Sequence, residues 1–543
     1  MTDSFVFNSR RSELIARGGM VASSQPLASA AGIEILESGG NAIDAAVAIA
    51  AALNVTEPTS TGIGGDAFAL VYIASEKRVY ALNGSGRSPA ALTLERVKAQ
   101  GYKNKLPPFS ADTITVPGAC AAWADLVERF GALTLSEVLT PAIHLARNGF
   151  PVAPITAYFW QRGAERQLAS ALNGSEMTID GRGPNPGEIF CNPGLSKTLQ
   201  MVAEGGKAAF YQGPIGEAIV DVVRRSGGCM AQADLTAHTS TWEEPISAEY
   251  NGLRFWECPP NGQGLAALLA LNLLEGFDLA GLPPLSARRL HLEIEALRLA
   301  FADGFRYIAD PQAANIPLEA LLSPEYAAER RKLINQDKAA AEVAHGYPLA
   351  ASDTVYLCAV DVAGNACSLI NSNYMGFGNG IVPAGWGFTL QNRGHNFSLD
   401  NGHPNCLAPN KRPYHTIIPA LITRCADDSL YGPFGVMGGF MQPQGHLQVG
   451  LALAQDGLDP QEALNLPRFC LQPESPAKPL LVEEGIPDSV LDDLRFRGHY
   501  LEKVSGMERA VFGRGQVIRR EANGVLWGGS DPRADGCALA LHG

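Results

Sequence analysis

The sequence predicts a layered α/β or α+β protein, and three observations support this fold class. Helical patterns with regular caps dominate the first two thirds of the 543 residues. Short alternating strands separated by Gly, Pro and Asn turns dominate from about Ser352. The composition is 46% hydrophobic and 18% charged, which is typical of a globular protein with a large core. Mixed helical and strand segments of this kind are expected to pack in layers.

In chain order, the first predicted elements are two helices and a strand. A helix that starts near Pro26 ends at the glycines 39–40, and Asn41 caps a second helix. Nearly all side chains of the second helix are small and apolar, so we expect it to lie in the interior. A glycine turn then leads into a strand over residues 67–73.

The middle of the chain is predicted to be mainly helical. Residues 109–150 are typical of a turn followed by helices, and residues 286–309 predict a long amphipathic helix. Residues 264–274 form the longest apolar run, which is well short of the roughly 20 residues needed to span a bilayer, so they predict a buried helix. Residues 171–183 and 337–351 lack periodicity and are expected to be loops.

The pattern changes at about Ser352. Residues 354–361 and 366–372 are rich in β-branched and aromatic side chains, and the turn between them contains Gly364 and Asn365. This pattern predicts a β-hairpin. Further short strands are expected to follow to the C-terminus, so the last third of the chain is predicted to be mainly sheet.

Charge and cysteine content argue against several classes of function. Fifty-five acidic and 42 basic residues give a net charge of −13, which repels polyanions, so we expect no nucleic acid partner. The ten cysteines include no C-x-x-C pair and therefore no zinc-ribbon or redox motif. Because the N-terminus lacks the apolar core of a secretory signal, we expect reduced thiols, a cytoplasmic protein and no membrane partner.

A candidate nucleophile stands at the start of the predicted hairpin. The P-loop, the HExxH zinc motif and the GxSxG elbow are absent, and the glycines at 62–65 and 376–380 lack the spacing of a dinucleotide-binding loop. The pair Asp353-Thr354 is either an ordinary turn or a position where the chain is cut. If the bond is cut, the new amino group of Thr354, with a pKa of about 8, is a base for the hydroxyl of the same residue.

Several motifs in the same order are similar to those of the γ-glutamyltranspeptidase family of N-terminal-nucleophile hydrolases. The matching stretches are residues 39–48, 57–68, 116–119, 294–303, 353–372, 409–413, 438–446 and 528–536. The resemblance implies an α+β fold, a four-layer αββα sandwich. It also implies self-cleavage into a large chain, 1–353, and a small chain, 354–543, which stay together as one intertwined domain. A dimer of these heterodimers is left open, and no metal or organic cofactor is expected.

The resemblance also implies catalytic roles for four residues. Thr354 matches the nucleophile, and Ser372 matches the hydroxyl residue that hydrogen-bonds to it. Gly438 and Gly439 match the N–H donors of the oxyanion hole. Glycine suits this role because a backbone without Cβ can direct both amides at a developing negative charge. The alternative for the glycine pair is a plain turn.

The predicted substrate pocket departs from that of γ-glutamyl enzymes, in which an acidic residue holds the substrate's α-ammonium. The residues that replace that pocket are Tyr374, Arg393, His395, Asn396, His415 and Thr416. The family's carboxylate-binding arginine would fall at Ser85, and Arg87 lies two positions later. Arg87 is either a carboxylate binder or a solvated surface arginine. His395 and His415 either touch the substrate or are structural.

This pocket suits an anion that lacks an amine, because a guanidinium can hold a carboxylate through two hydrogen bonds. It is similar to the branch of the family that contains oxamate amidohydrolases and glutaryl-type cephalosporin acylases. We therefore predict an amidohydrolase for a small carboxylate-bearing amide, with conversion of oxamate to oxalate and ammonia, a step of purine breakdown, as the preferred reaction. The alternatives are a γ-glutamyl hydrolase or transferase acting on glutathione, a glutaryl-type cephalosporin acylase, and a non-enzymatic binding protein.

Overall fold

The computed structural model describes residues 11–340, 354–473 and 478–542. The strands of this part of the chain, numbered in order, are β1 (Leu14–Ala16), β2 (Met20–Ser23), β3 (Asp66–Ile73), β4 (Arg78–Asn83), β5 (Phe150–Pro151), β6 (Ile189–Phe190), β7 (Thr241–Glu243), β8 (Ile246–Tyr250), β9 (Leu253–Glu257), β10 (Val355–Val360), β11 (Ala366–Ser372), β12 (Ala420–Arg424), β13 (Leu430–Met437), β14 (Phe469–Cys470), β15 (Leu480–Glu483), β16 (Leu501–Val504), β17 (Arg514–Arg520), β18 (Leu526–Ser530) and β19 (Cys537–Ala540).

The α-helices of the same residues are α1 (Pro26–Glu37), α2 (Ala42–Thr56), α3 (Leu94–Ala99), α4 (Ala119–Phe130), α5 (Leu135–Asn148), α6 (Pro154–Gly163), α7 (Pro193–Tyr211), α8 (Pro214–Arg225), α9 (Gln232–Thr236), α10 (Gly264–Glu275), α11 (Ala287–Tyr307), α12 (Leu318–Leu321), α13 (Pro324–Arg331), α14 (Met441–Ala454), α15 (Pro460–Asn465) and α16 (Asp488–Phe496). None of the helices in the described residues combines the length and the apolar character needed to cross a bilayer.

Two seven-stranded sheets form the centre of the molecule. Sheet I has the strand order β1-β18-β17-β13-β12-β9-β8, and sheet II has the order β19-β2-β10-β11-β3-β4-β7. All neighbouring strands within each sheet are antiparallel. The two sheets face each other, with β10 and β11 of sheet II packed on β13 of sheet I.

Helices cover the outer face of each sheet. The helices α1, α2 and α4 pack on sheet II, and α10, α14 and α15 pack on sheet I. One hydrophobic core fills the space around sheet II and its helices, and a second lies between sheet I and the helices α10, α11 and α14. The order helix, sheet, sheet, helix confirms the predicted α+β fold with four αββα layers.

Several local predictions are confirmed because their signals lie within a few residues of one another. The Asn41 side chain accepts hydrogen bonds from Ile43 N and Asp44 N and caps α2, all of whose residues are buried as expected. The predicted hairpin is formed by β10 and β11. The apolar run in α10 is a buried helix, and residues 171–183 form no regular element beyond one short 3-10 turn.

The amphipathic helix predicted over residues 286–309 is confirmed, and it is more buried than such a pattern usually indicates. The helix α11 forms, yet nearly all of its polar face is covered by other segments. Burial is possible there because the charged side chains have partners: Arg289 lies 2.5 Å from Glu293, and Asp303 lies 2.8 Å from Arg330 of α13. The predicted loop at 337–351 is described only up to residue 340, and Asp353 also lies outside the described residues.

Candidate active site

Thr354 lies at the start of β10, in the middle of sheet II. The hairpin register pairs Val355 with Asn371, so Thr354 stands opposite Ser372. The Thr354 side chain is fully buried, and its Oγ1 lies 3.2 Å from Ser372 Oγ. The Nε2 atom of Gln442 donates to Thr354 Oγ1 over 3.4 Å. The candidate nucleophile is therefore held by a hydroxyl and a carboxamide.

Ser372 connects Thr354 to the predicted pocket residues. Its Oγ accepts hydrogen bonds from Tyr374 N over 2.9 Å and from Arg393 Nη2 over 3.2 Å. These two hydrogen bonds use both acceptor lone pairs of the serine hydroxyl. Ser372 can therefore donate its proton to another contact, such as Thr354 Oγ1. Tyr374 adopts a φ of 83°, which turns the chain sharply after β11.

Arg393 is a buried cation next to this pair. Its Nη1 donates to Thr416 Oγ1 over 2.6 Å, and its guanidinium stacks over the Tyr374 ring at 4.3 Å. The Nε atom has no hydrogen-bond partner, and no carboxylate of the described residues forms an ion pair with the guanidinium. Burial lowers the pKa of Arg393 to about 10, while the charge of Asp66 opposes the shift, so the group stays protonated at neutral pH.

Gly438 and Gly439 lie between β13 and α14, the helix whose Gln442 contacts Thr354. Their φ angles of 127° and 58° fall in the region that favours glycine. The Gly439 carbonyl is fixed by Gln263 Nε2 over 2.8 Å, and the same nitrogen also donates to Thr416 O. No hydrogen bond of the described residues engages the N–H of either glycine. Both N–H groups can therefore act as donors to a bound molecule.

The two predicted pocket histidines make contacts within the protein. His415 Nε2 lies 3.0 Å from Asp66 Oδ2, and its Nδ1 accepts from Ile417 N. Burial, and next the charge of Arg393, lower the pKa of His415 to about 3, so the ring is neutral. His395 Nδ1 donates to Leu106 O over 2.6 Å, and burial lowers its pKa to about 4. Both rings thus form hydrogen bonds with neighbouring protein groups.

Arg87 lies outside this cluster. Its side chain is half-buried, and its Nη2 donates to Gln312 Oε1 over 3.0 Å. Ser85, where the family's arginine would fall, is buried and donates to Asn83 Oδ1. The contacts of the described residues thus bring Thr354, Ser372, Tyr374, Arg393 and Thr416 together. They provide no geometric support for the carboxylate-binding role predicted for Arg87.

Sequence reasoning missed two further residues of the site and assigned no role to a third. Gln442 holds Thr354, and its Oε1 accepts from Ile418 N over 2.9 Å. Asn396, which was noted only as a replacement, accepts from Tyr374 OH over 2.6 Å. Gln263 fixes the carbonyl of Gly439. Gln442 lies within the family-like stretch 438–446, so that motif could have pointed to it. No motif in the sequence marks Gln263.

A cavity of about 600 Å³ opens next to the glycine pair. Its wall includes Gly438 and Met375, the residue after Tyr374. The other lining residues are partly apolar, with Phe159, Phe377 and Val511, and partly charged, with Arg162, Glu165, Arg166, Glu508 and Arg514. The cavity is large enough for a small-molecule substrate.

The chain is similar to known proteins over nearly its whole length. The family model described as gamma-glutamyltranspeptidase matches residues 28–541. The crystal structure of a cephalosporin acylase from Bacillus halodurans has a TM-score of 0.92 and 45% identity, covering 100% of this chain and 99% of that chain. The glutathione hydrolase-like YwrD proenzyme of Bacillus subtilis is 37% identical, covering 96% of this chain and 98% of its own. The oxamate amidohydrolase proenzyme of Klebsiella pneumoniae is 32% identical, covering 96% of this chain and 98% of its own.

These matches confirm the relationship that the sequence motifs predicted. The matched region includes Thr354 and all of the residues gathered around it. By their names, the three relatives are hydrolases or acylases, and two of them are proenzymes. The chain therefore belongs to the gamma-glutamyltranspeptidase family and is an amidohydrolase of the proenzyme type.

Proposed function

We propose that cleavage of the Asp353–Thr354 bond activates the protein, which then hydrolyses the amide of a small carboxylate-bearing substrate. The observation that carries the substrate class is Arg393, a buried and charged guanidinium with an unbonded Nε and no carboxylate of the described residues within ion-pair distance, although the charge of Asp66 acts on it from farther away. A buried charge of this kind is costly unless an anion neutralises it. A substrate carboxylate supplies that anion and fits the guanidinium fork.

The position of Thr354 Oγ1 supports a maturation route through this oxygen. The hydroxyl attacks the carbonyl carbon of Asp353, and the acyl group moves from the Thr354 nitrogen to its oxygen. Water then hydrolyses the ester, which leaves a carboxylate on the large chain, 1–353, and a free amine on the small chain, 354–543. Ser372 and Gln442 orient the oxygen for this attack.

Substrate hydrolysis uses the same oxygen. Thr354 Oγ1 attacks the amide carbon, and the new α-amine accepts its proton. The N–H groups of Gly438 and Gly439 donate to the developing oxyanion. The amine proton passes to the leaving nitrogen, which departs as ammonia or an amine and leaves an ester on Thr354. Water, deprotonated by the same amine, hydrolyses that ester and releases the acid.

The position of Arg393 favours a short acid such as oxamate. Its Nη2 and Thr354 Oγ1 both contact Ser372 Oγ, so only one hydroxyl separates the cation from the nucleophile. A carboxylate held there places an adjacent amide carbon near Thr354. The same cation disfavours a γ-glutamyl group, whose α-ammonium it would repel.

A cephalosporin-type acylase activity is the second candidate. The cavity beside Gly438 has a volume of about 600 Å³, which is much larger than oxamate, and its wall includes apolar side chains. The structural relative with 45% identity is a cephalosporin acylase. A larger acyl or leaving group would occupy this cavity while its carboxylate contacts Arg393.

Processing would leave two chains that cannot separate without breaking both sheets. In sheet II, β10 and β11 of the small chain lie between β2 and β3 of the large chain. In sheet I, β12 of the small chain pairs with β9 of the large chain. This interleaving supports the proposal that the two chains form one active unit.

A cytoplasmic location is also proposed. The buried cysteines Cys120, Cys358 and Cys367 form no disulfide in the part of the chain that the structure describes. Free thiols persist in reducing compartments, whereas secreted proteins commonly oxidise theirs to disulfides.

A substrate panel tests the proposed function. Purified, processed protein is assayed for ammonia release from oxamate, for cleavage of a glutaryl-7-aminocephalosporin and for cleavage of a γ-glutamyl anilide. We expect kcat/KM to be highest for oxamate, and a preference for the glutaryl compound would favour the acylase. Preferential turnover of the γ-glutamyl anilide would overturn the assignment of Arg393 as a carboxylate binder.

A further inference from the structure

A second group of titratable side chains lies outside the Thr354 cluster. His291 and Glu295 are four residues apart on α11, so both project from one face of the helix. His499 reaches them from the segment between α16 and β16. One ligand-type atom from each of the three side chains lies within 4.8 Å of the others, and all three residues are buried.

The two imidazoles are oriented like metal ligands. His291 Nε2 lies 2.7 Å from Asn335 O, which can only accept a hydrogen bond, so this nitrogen carries the proton. The other ring nitrogen, Nδ1, faces His499 Nε2 at 2.8 Å. Metal-binding histidines commonly donate their second nitrogen to a carbonyl in this way, which fixes the tautomer and the ring direction.

The carboxylate is held in place as well. Glu295 Oε2 accepts from Ala340 N over 3.0 Å, and Oε1 accepts from Arg298 Nη1 over 2.9 Å. Arg298 thus pairs with the proposed ligand Glu295 itself, whereas Arg497 has its own carboxylate partner in Asp493 at 3.2 Å. Lys338 is a third cation near the cluster, in the wall of the cavity that also contains His499.

We propose that His291, Glu295 and His499 bind a divalent transition metal, with Zn²⁺ as the best chemical fit. Two imidazoles and one carboxylate are typical zinc ligands. Nitrogens bound to tetrahedral zinc are about 3.3 Å apart, so the rings must separate by about 0.5 Å from their present contact. Zinc replaces the proton on His499 Nε2, and this proton moves to Nδ1 of the same ring.

The surroundings leave room for a fourth ligand. A cavity of about 400 Å³, whose wall includes His499, Lys338 and Ala340, adjoins the cluster. A water molecule from this cavity can complete the four ligands.

The site spans the two chains that cleavage at Thr354 would produce. His291 and Glu295 precede that position, and His499 follows it. Glu295 also anchors Ala340, close to the end of the described part of the large chain. A bound metal would therefore join the processed chains. This consequence rests on the proposed cleavage, whereas metal binding itself does not.

Metal binding is tested on the full-length protein purified without a polyhistidine tag. The protein is stripped with a chelator, given Zn²⁺ or Co²⁺, desalted and analysed for metal by mass spectrometry. We expect one zinc per 543-residue unit and a higher unfolding temperature with zinc than without it. Cobalt should produce the visible absorption of a tetrahedral site.

Variants decide whether the three residues are the ligands. H499Q and E295Q should each lower zinc affinity at least tenfold, abolish the cobalt absorption and remove the zinc-dependent rise in unfolding temperature. The control H144Q removes an exposed histidine on α5 and should match the wild type. If H499Q does not fold, E295Q alone decides. Wild-type protein that retains no zinc, or variants that retain it unchanged, would overturn the proposal.

Discussion

Replacing Arg393 tests how the substrate is held. A bidentate pair between a guanidinium and a carboxylate in a buried site contributes about 3 kcal/mol, which corresponds to about 100-fold in kcat/KM. Arg393 also donates to Ser372, so R393M should lower turnover of every substrate to some extent. The loss should be about 100-fold larger for oxamate than for oxamide, a neutral amide of the same size. R393K keeps the charge without the planar fork, so its oxamate activity should lie between those of the wild type and R393M.

The assay measures ammonia release from both substrates by wild-type, R393M, R393K and R87A proteins. R87A serves as the matched control, because Arg87 contacts Gln312 and no residue of the Thr354 cluster. We expect R87A to retain the wild-type ratio of oxamate to oxamide activity. An equal loss of both activities in R393M would refute the reasoning, since it would show that Arg393 only supports the structure around Ser372.

Three further predictions follow from the site and from the buried histidines. T354A should abolish both chain cleavage, seen on a denaturing gel, and activity, whereas T354S should retain part of each; normal cleavage of T354A would show that an outside protease acts. G438A should lower kcat by about 10²–10³, because alanine is strained at a φ of 127° and the N–H donor shifts; an unchanged kcat would remove Gly438 from the oxyanion hole. Folded His415 has a pKa of about 3, whereas the unfolded ring has a pKa of about 6.5. The contribution of His415 to the free energy of unfolding is therefore complete above pH 6.5. Below that pH it falls by about 1.4 kcal/mol per pH unit, because only the unfolded ring takes up a proton. Because other buried groups also titrate, the slope for this group is the difference in urea unfolding between the wild type and H415N at several pH values, and equal profiles between pH 4 and 6.5 would contradict it.

Local signals in the sequence predicted much of the fold. The Asn41 cap, the apolar run of α10 and the hairpin of β10 and β11 depend on residues that are near one another in the chain, and all three are confirmed. The burial of α11 was not predictable, because its partner Arg330 lies on another helix. A polar pattern on a helix shows which side chains are charged, and it does not show whether another segment covers them.

The site was predictable where a motif marks it and not where distant segments meet. Thr354 and Ser372 were identified from one stretch, and the hairpin register places them in contact. Sequence reasoning assigned both Arg87 and Arg393 to the predicted pocket and could not tell which of them lies closer to Thr354. Arg87 is near the family position in the sequence, whereas Arg393 comes from a segment that folds back against Ser372. Only the three-dimensional arrangement shows which guanidinium lies beside the nucleophile.

The mass of the small chain during turnover tests the central claim most directly. Purified protein is mixed with a slowly hydrolysed amide, quenched in acid and analysed by intact mass spectrometry with N-terminal sequencing. The account predicts two chains, a small-chain sequence that begins at Thr354, and a transient mass increase equal to the acyl group on that chain. Active protein that consists of one uncut chain, or an acyl group attached elsewhere, would contradict it.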